Sequence, residues 1–236
     1  MGVLTREQFK KRRRIRKLIK YYSKLAAFVM AALLVIAVFI YGGCRVIRRF
    51  FGTGTSAAAS KVCENDLKLK QELGIETFML TKNEYSRPCN SLKSVKKIVL
   101  HYAADSGKTA ADVRNYYESL KDGTTKTYDS CHFIVGLSGE IVQCIPTDEC
   151  ALASGKYNDQ AISITFCHLE PDGYPSDATY TSLSNLVISL CKTYNLTQDD
   201  IIRHYDIDES SCCPKYFVDS DVAWTKFIQT VKDALE

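Results

Sequence analysis

The strongest constraint in this sequence is a run of twenty residues without a charged side chain, at positions 25–44. A helix of that length rises about 30 Å, which matches the hydrocarbon core of a bilayer. A buried core helix of this length would usually keep some polar face. A cleaved signal peptide is the other interpretation, but its apolar region is usually shorter and no A-x-A cleavage motif follows. We therefore predict a single transmembrane helix at 25–44.

The charge distribution predicts the orientation of that helix. Residues 1–24 contain ten Lys or Arg and one acid, whereas only three Arg follow the apolar run before position 50. The positive-inside rule then places the basic tail in the cytoplasm, against anionic headgroups, and the C-terminal part outside. Because the tail sums to +9 and the chain to +4, the rest carries −5. A basic nucleic-acid-binding face on the folded domain is thereby excluded.

The remaining sequence predicts a linker and one domain. Residues 45–82, which include a Gly/Ser/Thr/Ala stretch at 52–60, are expected to form a linker or stalk, and 83–236 a compact domain. Apolar runs predict strands at 97–102, 131–137, 140–146, 161–167 and 201–205, and helical spacing predicts helices at 109–121, 177–194 and 219–235. This pattern predicts a mixed α/β fold, with a central mixed β-sheet flanked by helices.

Two of the four histidines lie where predicted strands end. His101 ends the first strand, and His204 ends the last one and precedes Cys213-Pro214 by nine residues. Two imidazoles and a thiolate suit a tetrahedral zinc ion with one open position for an activated water. A histidine at a strand end is more often structural, so this pattern alone does not identify a metal site.

Four segments resemble, in order, a known enzyme family. They are NEYSRPCNSLKSVKKIVLHYAA, SCHFIVGLSGEIVQCIP, AISITFC and RHYDIDESSCCPKYF. They are similar to the zinc-dependent N-acetylmuramoyl-L-alanine amidases of type 2, a family that includes phage amidases and the animal peptidoglycan recognition proteins. The resemblance covers residues 83–235, essentially the whole predicted domain.

The resemblance implies a zinc ion bound by His101, His204 and Cys213. Cys212 is an alternative ligand, because the family's cysteine often follows the histidine by eight residues, whereas the proline after Cys213 favours that position. The implied reaction is cleavage of the amide between muramic acid and L-alanine, with the stem peptide and muramic acid of peptidoglycan as partners. Together with the charge pattern, this predicts a bacterial cell membrane protein whose domain faces the wall.

Two further residues are implied to support the site. His132 falls in the family's x-His-Phe strand, which implies a second-shell or structural role. Asp206 follows His204 by two residues, and could order the loop around it or simply cap a turn.

The chain departs from the family at three catalytic positions. Family members tend to carry either a Glu in the central strand or a Tyr before the His-Phe pair, and here Thr165 and Cys131 stand there; Ser211 replaces a frequent Lys. Glu209 and Asp208 are candidates for the missing general base, or are solvated loop acids. The chain is therefore expected to be a zinc-dependent amidase, with a weak or inactive zinc-bearing muropeptide recognition module as the alternative.

Overall fold

The structure is a computed structural model that describes residues 56–236. From residue 58 onwards these residues form one compact unit. No helix in the described part of the chain is both long and apolar enough to cross a membrane. The predicted transmembrane helix at 25–44 and the basic tail at 1–24 lie outside the described residues.

The compact unit is built on one six-stranded sheet with the order β1-β4-β3-β5-β2-β6. The strands are β1 (Glu76–Thr77), β2 (Lys97–Tyr102), β3 (Phe133–Val135), β4 (Ile141–Gln143), β5 (Ala161–Phe166) and β6 (Ile201–Arg203). Only the β3–β4 hairpin is antiparallel, and the other neighbouring pairs are parallel. The predicted mixed sheet is thus confirmed.

Helices cover both faces of the sheet, as parallel strands require. They are α1 (Ser56–Leu73), α2 (Ala110–Ser119), α3 (Asp177–Tyr194), α4 (Lys215–Asp219) and α5 (Asp221–Leu235). One apolar core contains residues of α1, α3, α4 and α5, and a second core contains residues of α2. Thr109 caps α2, as the sequence predicts, because its hydroxyl accepts a hydrogen bond from the Asp112 amide at 3.2 Å.

The N-terminal boundary of the folded unit requires a correction. The sequence assigns residues up to 82 to a stalk, yet Leu69, Ile75 and Leu80 are buried and β1 pairs with β4. The Asp66 carboxylate also accepts a hydrogen bond from the Thr147 hydroxyl at 2.6 Å. Residues 66–82 therefore belong to the compact unit. A short helix at 66–73 is compatible with the sequence and lies within α1, but the apolar side chains at 75–80 show no period, so the pattern predicts a stalk.

Candidate metal centre

His101 lies near the end of the central strand β2, between β5 and β6. Side chains alternate along a strand, so Ile98 and Leu100 enter the larger core while His101 points to the face covered by α2. The imidazole is 6% exposed. Burial, with a smaller effect from His204, lowers the pKa of His101 to about 3. This ring is therefore neutral and able to donate a lone pair.

His204 follows β6 directly and comes beside His101 because β6 and β2 run parallel, with Leu100 opposite Arg203. The strand ends earlier than the predicted residue 205, because the Asp206 carboxylate accepts a hydrogen bond from the Arg203 amide at 2.8 Å and starts a 3-10 turn. The two imidazole ring centroids are 4.8 Å apart. Asp206 thus orders the turn through Arg203, the turn-capping role, rather than by contacting the imidazole.

Cys213 is brought to the two histidines by a loop that folds back on the turn. The Tyr205 amide donates a hydrogen bond to the Cys213 carbonyl at 2.8 Å. The Cys213 Sγ then lies 3.8 Å from Nδ1 of His101. Cys212 is exposed, and its Sγ faces the Asp219 carboxylate at 3.6 Å. Of the two cysteines considered, the structure places Cys213 in the cluster.

The donor set fits a zinc-type metal ion. The ligand atoms of His101, His204 and Cys213 lie within 4.8 Å of one another. A tetrahedral zinc ion holds the donor atoms of two ligands about 3.5 Å apart. The 3.8 Å between Sγ of Cys213 and Nδ1 of His101 is close to this distance. Nε2 of His101 is buried and has no hydrogen-bond partner among residues 56–236. Burial raises the pKa of the Cys213 thiol to about 12, so binding a metal there must release a proton.

The three residues line one side of a cavity of about 690 Å³. Thr165, which pairs with His101 in the β2–β5 register, also lines the cavity, as do Tyr117 and Asp129. The Tyr117 hydroxyl lies 3.2 Å from the Thr165 hydroxyl. Burial raises the pKa of Tyr117 well above its ordinary value, so this phenol keeps its proton. The cavity lining thus includes a tyrosine with a protonated phenol and an aspartate, in addition to the metal ligands.

Sequence reasoning did not identify Tyr117 and Asp129. Tyr117 has the spacing of a core residue in α2, together with Ala110 and Val113, and it is buried. Asp129 falls between the predicted helix and the following strand, where no periodic pattern exists. Only the fold shows that both residues line the cavity.

Two of the predicted catalytic candidates do not line the cavity. Cys131 is fully buried and does not line the cavity; its thiol donates to the Phe133 carbonyl at 3.2 Å, and burial raises its pKa to about 12. Glu209 is exposed at the tip of a turn. The Ser211 amide closes this turn by donating a hydrogen bond to the Asp208 carbonyl at 2.9 Å. Both candidates are therefore corrected: the first is a packed core residue and the second a solvated loop acid.

The other predicted residues have distinct positions. Ser211 lines the cavity, and its hydroxyl lies 3.4 Å from Nδ1 of His204. His132 is buried, where Nδ1 accepts from the Ser163 amide and Nε2 bonds the Glu149 carbonyl. Burial lowers the pKa of His132 to about 4, consistent with a neutral ring that holds two segments together. His132 therefore has a structural role, and its two ring nitrogens bond Ser163 and Glu149 rather than the metal ligands.

Comparison with known protein families gives a match over residues 91–216 to the family described as N-acetylmuramoyl-L-alanine amidase. A probable N-acetylmuramoyl-L-alanine amidase of Bacillus licheniformis is 34% identical over 145 residues, which cover 55% of this chain and 39% of the relative. The N-acetylmuramoyl-L-alanine amidase BlyA of Bacillus subtilis strain 168 is 31% identical over 171 residues, covering 64% and 44%. The chain thus spans about two fifths of the length of these relatives.

Solved structures share the fold. The PlyG catalytic domain superimposes with a TM-score of 0.56 at 20% identity, covering 68% of this chain and 94% of that domain. A mutant endolysin from Bacillus subtilis gives 0.55 at 22% identity, covering 66% and 97%. Both matches cover nearly the whole of the compared structure, so the mixed α/β architecture is that of these domains.

Proposed function

Because this chain belongs to the type 2 N-acetylmuramoyl-L-alanine amidase family, we propose that it is a zinc-dependent peptidoglycan hydrolase that cleaves the amide between muramic acid and L-alanine. One observation carries the zinc proposal: His101, His204 and Cys213 have their ligand atoms within 4.8 Å at one side of an open cavity. Three protein ligands leave a fourth position for water or substrate, the arrangement of catalytic zinc sites.

The ligand residues act before any substrate binds. His101 and His204 are held neutral by burial, and Cys213 loses its proton when the ion binds. A zinc ion bound there would polarise the substrate carbonyl and lower the pKa of water. The turn ordered by Asp206 and the strand β2 hold the two imidazoles beside the cavity, where they would bind the ion.

The Tyr117 hydroxyl is a hydrogen-bond donor in a residue that lines the cavity. This buried hydroxyl remains protonated and lies beside Thr165 and close to Cys131, the residues at the two positions where family members tend to carry Glu or Tyr. We propose that this O–H donates to the substrate carbonyl oxygen as negative charge develops there. Such a donor stabilises the transition state more than the ground state.

The test is an assay of the full-length protein on purified peptidoglycan. We expect a new α-amino group on L-alanine and a free lactyl carboxylate, with release stopped by a chelator and restored by zinc. Newly formed reducing ends, or cleavage inside the peptide, would contradict the proposed bond specificity. Zinc-loaded protein that binds muropeptides without cleaving them would favour the recognition-module alternative instead.

We further propose that the domain works at the outer face of a bacterial cell membrane, held there by residues 25–44. The support is the uncharged run of twenty residues after a strongly basic tail. Protease added to intact protoplasts is expected to digest the C-terminal domain and to spare an epitope placed in residues 1–24. Recovery of the full-length chain in the soluble fraction would contradict the anchor.

A further inference from the structure

A carboxylate lines the cavity at a position that the family resemblance does not assign. Among the described residues, the cavity is lined by the carboxylates of Asp105, Asp112 and Asp129. Asp105 and Asp112 are exposed, and Asp112 already accepts hydrogen bonds from Thr109 at the start of α2. Asp129 is half-buried, and its carboxylate accepts a hydrogen bond from the Ser130 backbone.

The backbone around Asp129 is held in place. The Asp129 amide donates to the Tyr85 carbonyl at 3.2 Å. The next residue, Ser130, is buried and its hydroxyl accepts from the Leu152 amide at 3.0 Å. Asp129 is therefore a positioned group, unlike the exposed Glu209, and a general base has to be positioned.

The Asp129 carboxylate lines the same cavity as the metal ligands and Tyr117. Its charge raises the pKa of Cys213 on the metal side and of Tyr117 on α2. Burial raises the pKa of Asp129 itself to about 6, opposed by a hydrogen bond from the Ser130 backbone. The other charged or titratable groups that line the cavity are Tyr102, Asp105, Lys108, Asp112, Tyr116 and the two histidines. A carboxylate with this pKa is mostly ionised at neutral pH and is a stronger base than an exposed aspartate.

We propose that Asp129 is the catalytic residue that moves the proton in the amide cleavage described above, so this inference rests on the proposed function. Asp129 accepts a proton from the attacking water as the water oxygen forms a bond to the amide carbon. It then returns that proton to the leaving nitrogen as the carbon–nitrogen bond breaks. One water is consumed, and the products are the lactyl carboxylic acid and the L-alanine amine.

The experiment compares Asp129→Asn, Asp129→Glu and Glu209→Gln with the wild type, as full-length proteins in detergent, on a soluble muramoyl-peptide. We expect Asp129→Asn to lower kcat roughly 10²–10⁴-fold with KM and zinc content unchanged. The wild-type kcat/KM should rise with pH through an ionisation at or below about pH 6, and the Asn variant should lack this limb. Asp129→Glu should recover part of kcat, and Glu209→Gln should match the wild type.

A readout independent of activity follows the Asp129 carboxyl in the metal-free protein by ¹³C NMR. A titration near pH 6, absent from Asp129→Asn, supports the proposal. An active wild type with Asp129→Asn equally active and unchanged in pH profile would overturn the role of Asp129 and leave the amidase proposal standing. A zinc-loaded wild type that cleaves nothing would overturn both.

Discussion

The two sides of the cavity are built from different parts of the fold. The ligand wall consists of His101, His204 and Cys213, which come from the ends of two neighbouring parallel strands and the loop after them. The second wall is the name used for Tyr117, Asp129 and Thr165, which line the same cavity and come from a helix, an irregular segment and a third strand. The ligand wall carries residues that short motifs specify, whereas the second wall can be assembled from several places in the chain.

Under the proposed function, this difference would allow the site to work with Thr165 and Cys131 at the family's Glu and Tyr positions. A metal ligand must place one atom within a few tenths of an ångström of an ideal distance, which restricts both residue type and position. A proton donor or base must only reach the reacting atoms from a held position. A phenol from α2 and a carboxylate from the segment before β3 can therefore take over these roles.

The largest expected effect is on the ligand wall, from Cys213→Ser. Loss of the thiolate should abolish stoichiometric zinc and lower activity by about 10³-fold or more, since the ion contributes several kcal/mol to the transition state. Zinc content and amide release are the measurements, and Cys212→Ser is the matched control. If Cys212→Ser loses zinc while Cys213→Ser retains it, the assignment of the ligand wall is incorrect.

On the second wall, Tyr117→Phe should lower kcat by about 10²-fold. This is the usual loss when one hydrogen-bond donor to a developing oxyanion is removed. Zinc content and KM should stay the same, because the Tyr117 hydroxyl contacts Thr165 and not a ligand. Tyr128→Phe, which removes an exposed hydroxyl that bonds Glu84 at 3.3 Å, serves as the control. Equal kcat values for the two variants would remove Tyr117 from the mechanism.

Asp129 should also make the stability of the folded protein depend on pH. Because the Asp129 pKa is raised in the folded state, folded protein binds more protons than unfolded protein between about pH 4 and 6. Stability is therefore lost as pH rises through this window, by about 2–3 kcal/mol in the metal-free protein. Asp129→Asn should remove this loss, so denaturant unfolding at pH 4 and pH 7 should show a stabilised variant only at pH 7. A variant no more stable than wild type at pH 7 would contradict the buried carboxylate.

The smallest effect is expected from Ser211→Ala, on the ligand wall. The Ser211 hydroxyl is 3.4 Å from Nδ1 of His204, a long contact. Its removal should weaken zinc binding only about two- to threefold, near the lower limit for one hydrogen bond. Competition with a chromophoric chelator measures this change. A loss beyond about 100-fold would make Ser211 a major determinant of the ligand wall.

Much of the fold could be predicted from the sequence, since α3 spans the predicted residues 177–194 and the strands at 97–102 and 161–167 form as expected. The ligand wall could be predicted only with the family resemblance, because histidines at strand ends do not by themselves identify a metal site, and the sequence left Cys212 as an alternative to Cys213. The segment 66–82 could not, since Ile75 and Leu80 are buried through contacts distant in sequence and without a local period. Tyr117 looks like any core residue of an amphipathic helix until the fold places its hydroxyl at Thr165.

The most direct test measures bound zinc and bond cleavage in the same preparation of the full-length protein, purified without chelators. We predict about one zinc ion per chain and the release of stem peptides that carry a free N-terminal L-alanine. Protein that binds no zinc, or that carries zinc and releases no such peptide at any pH from about 5 to 9, would contradict this prediction.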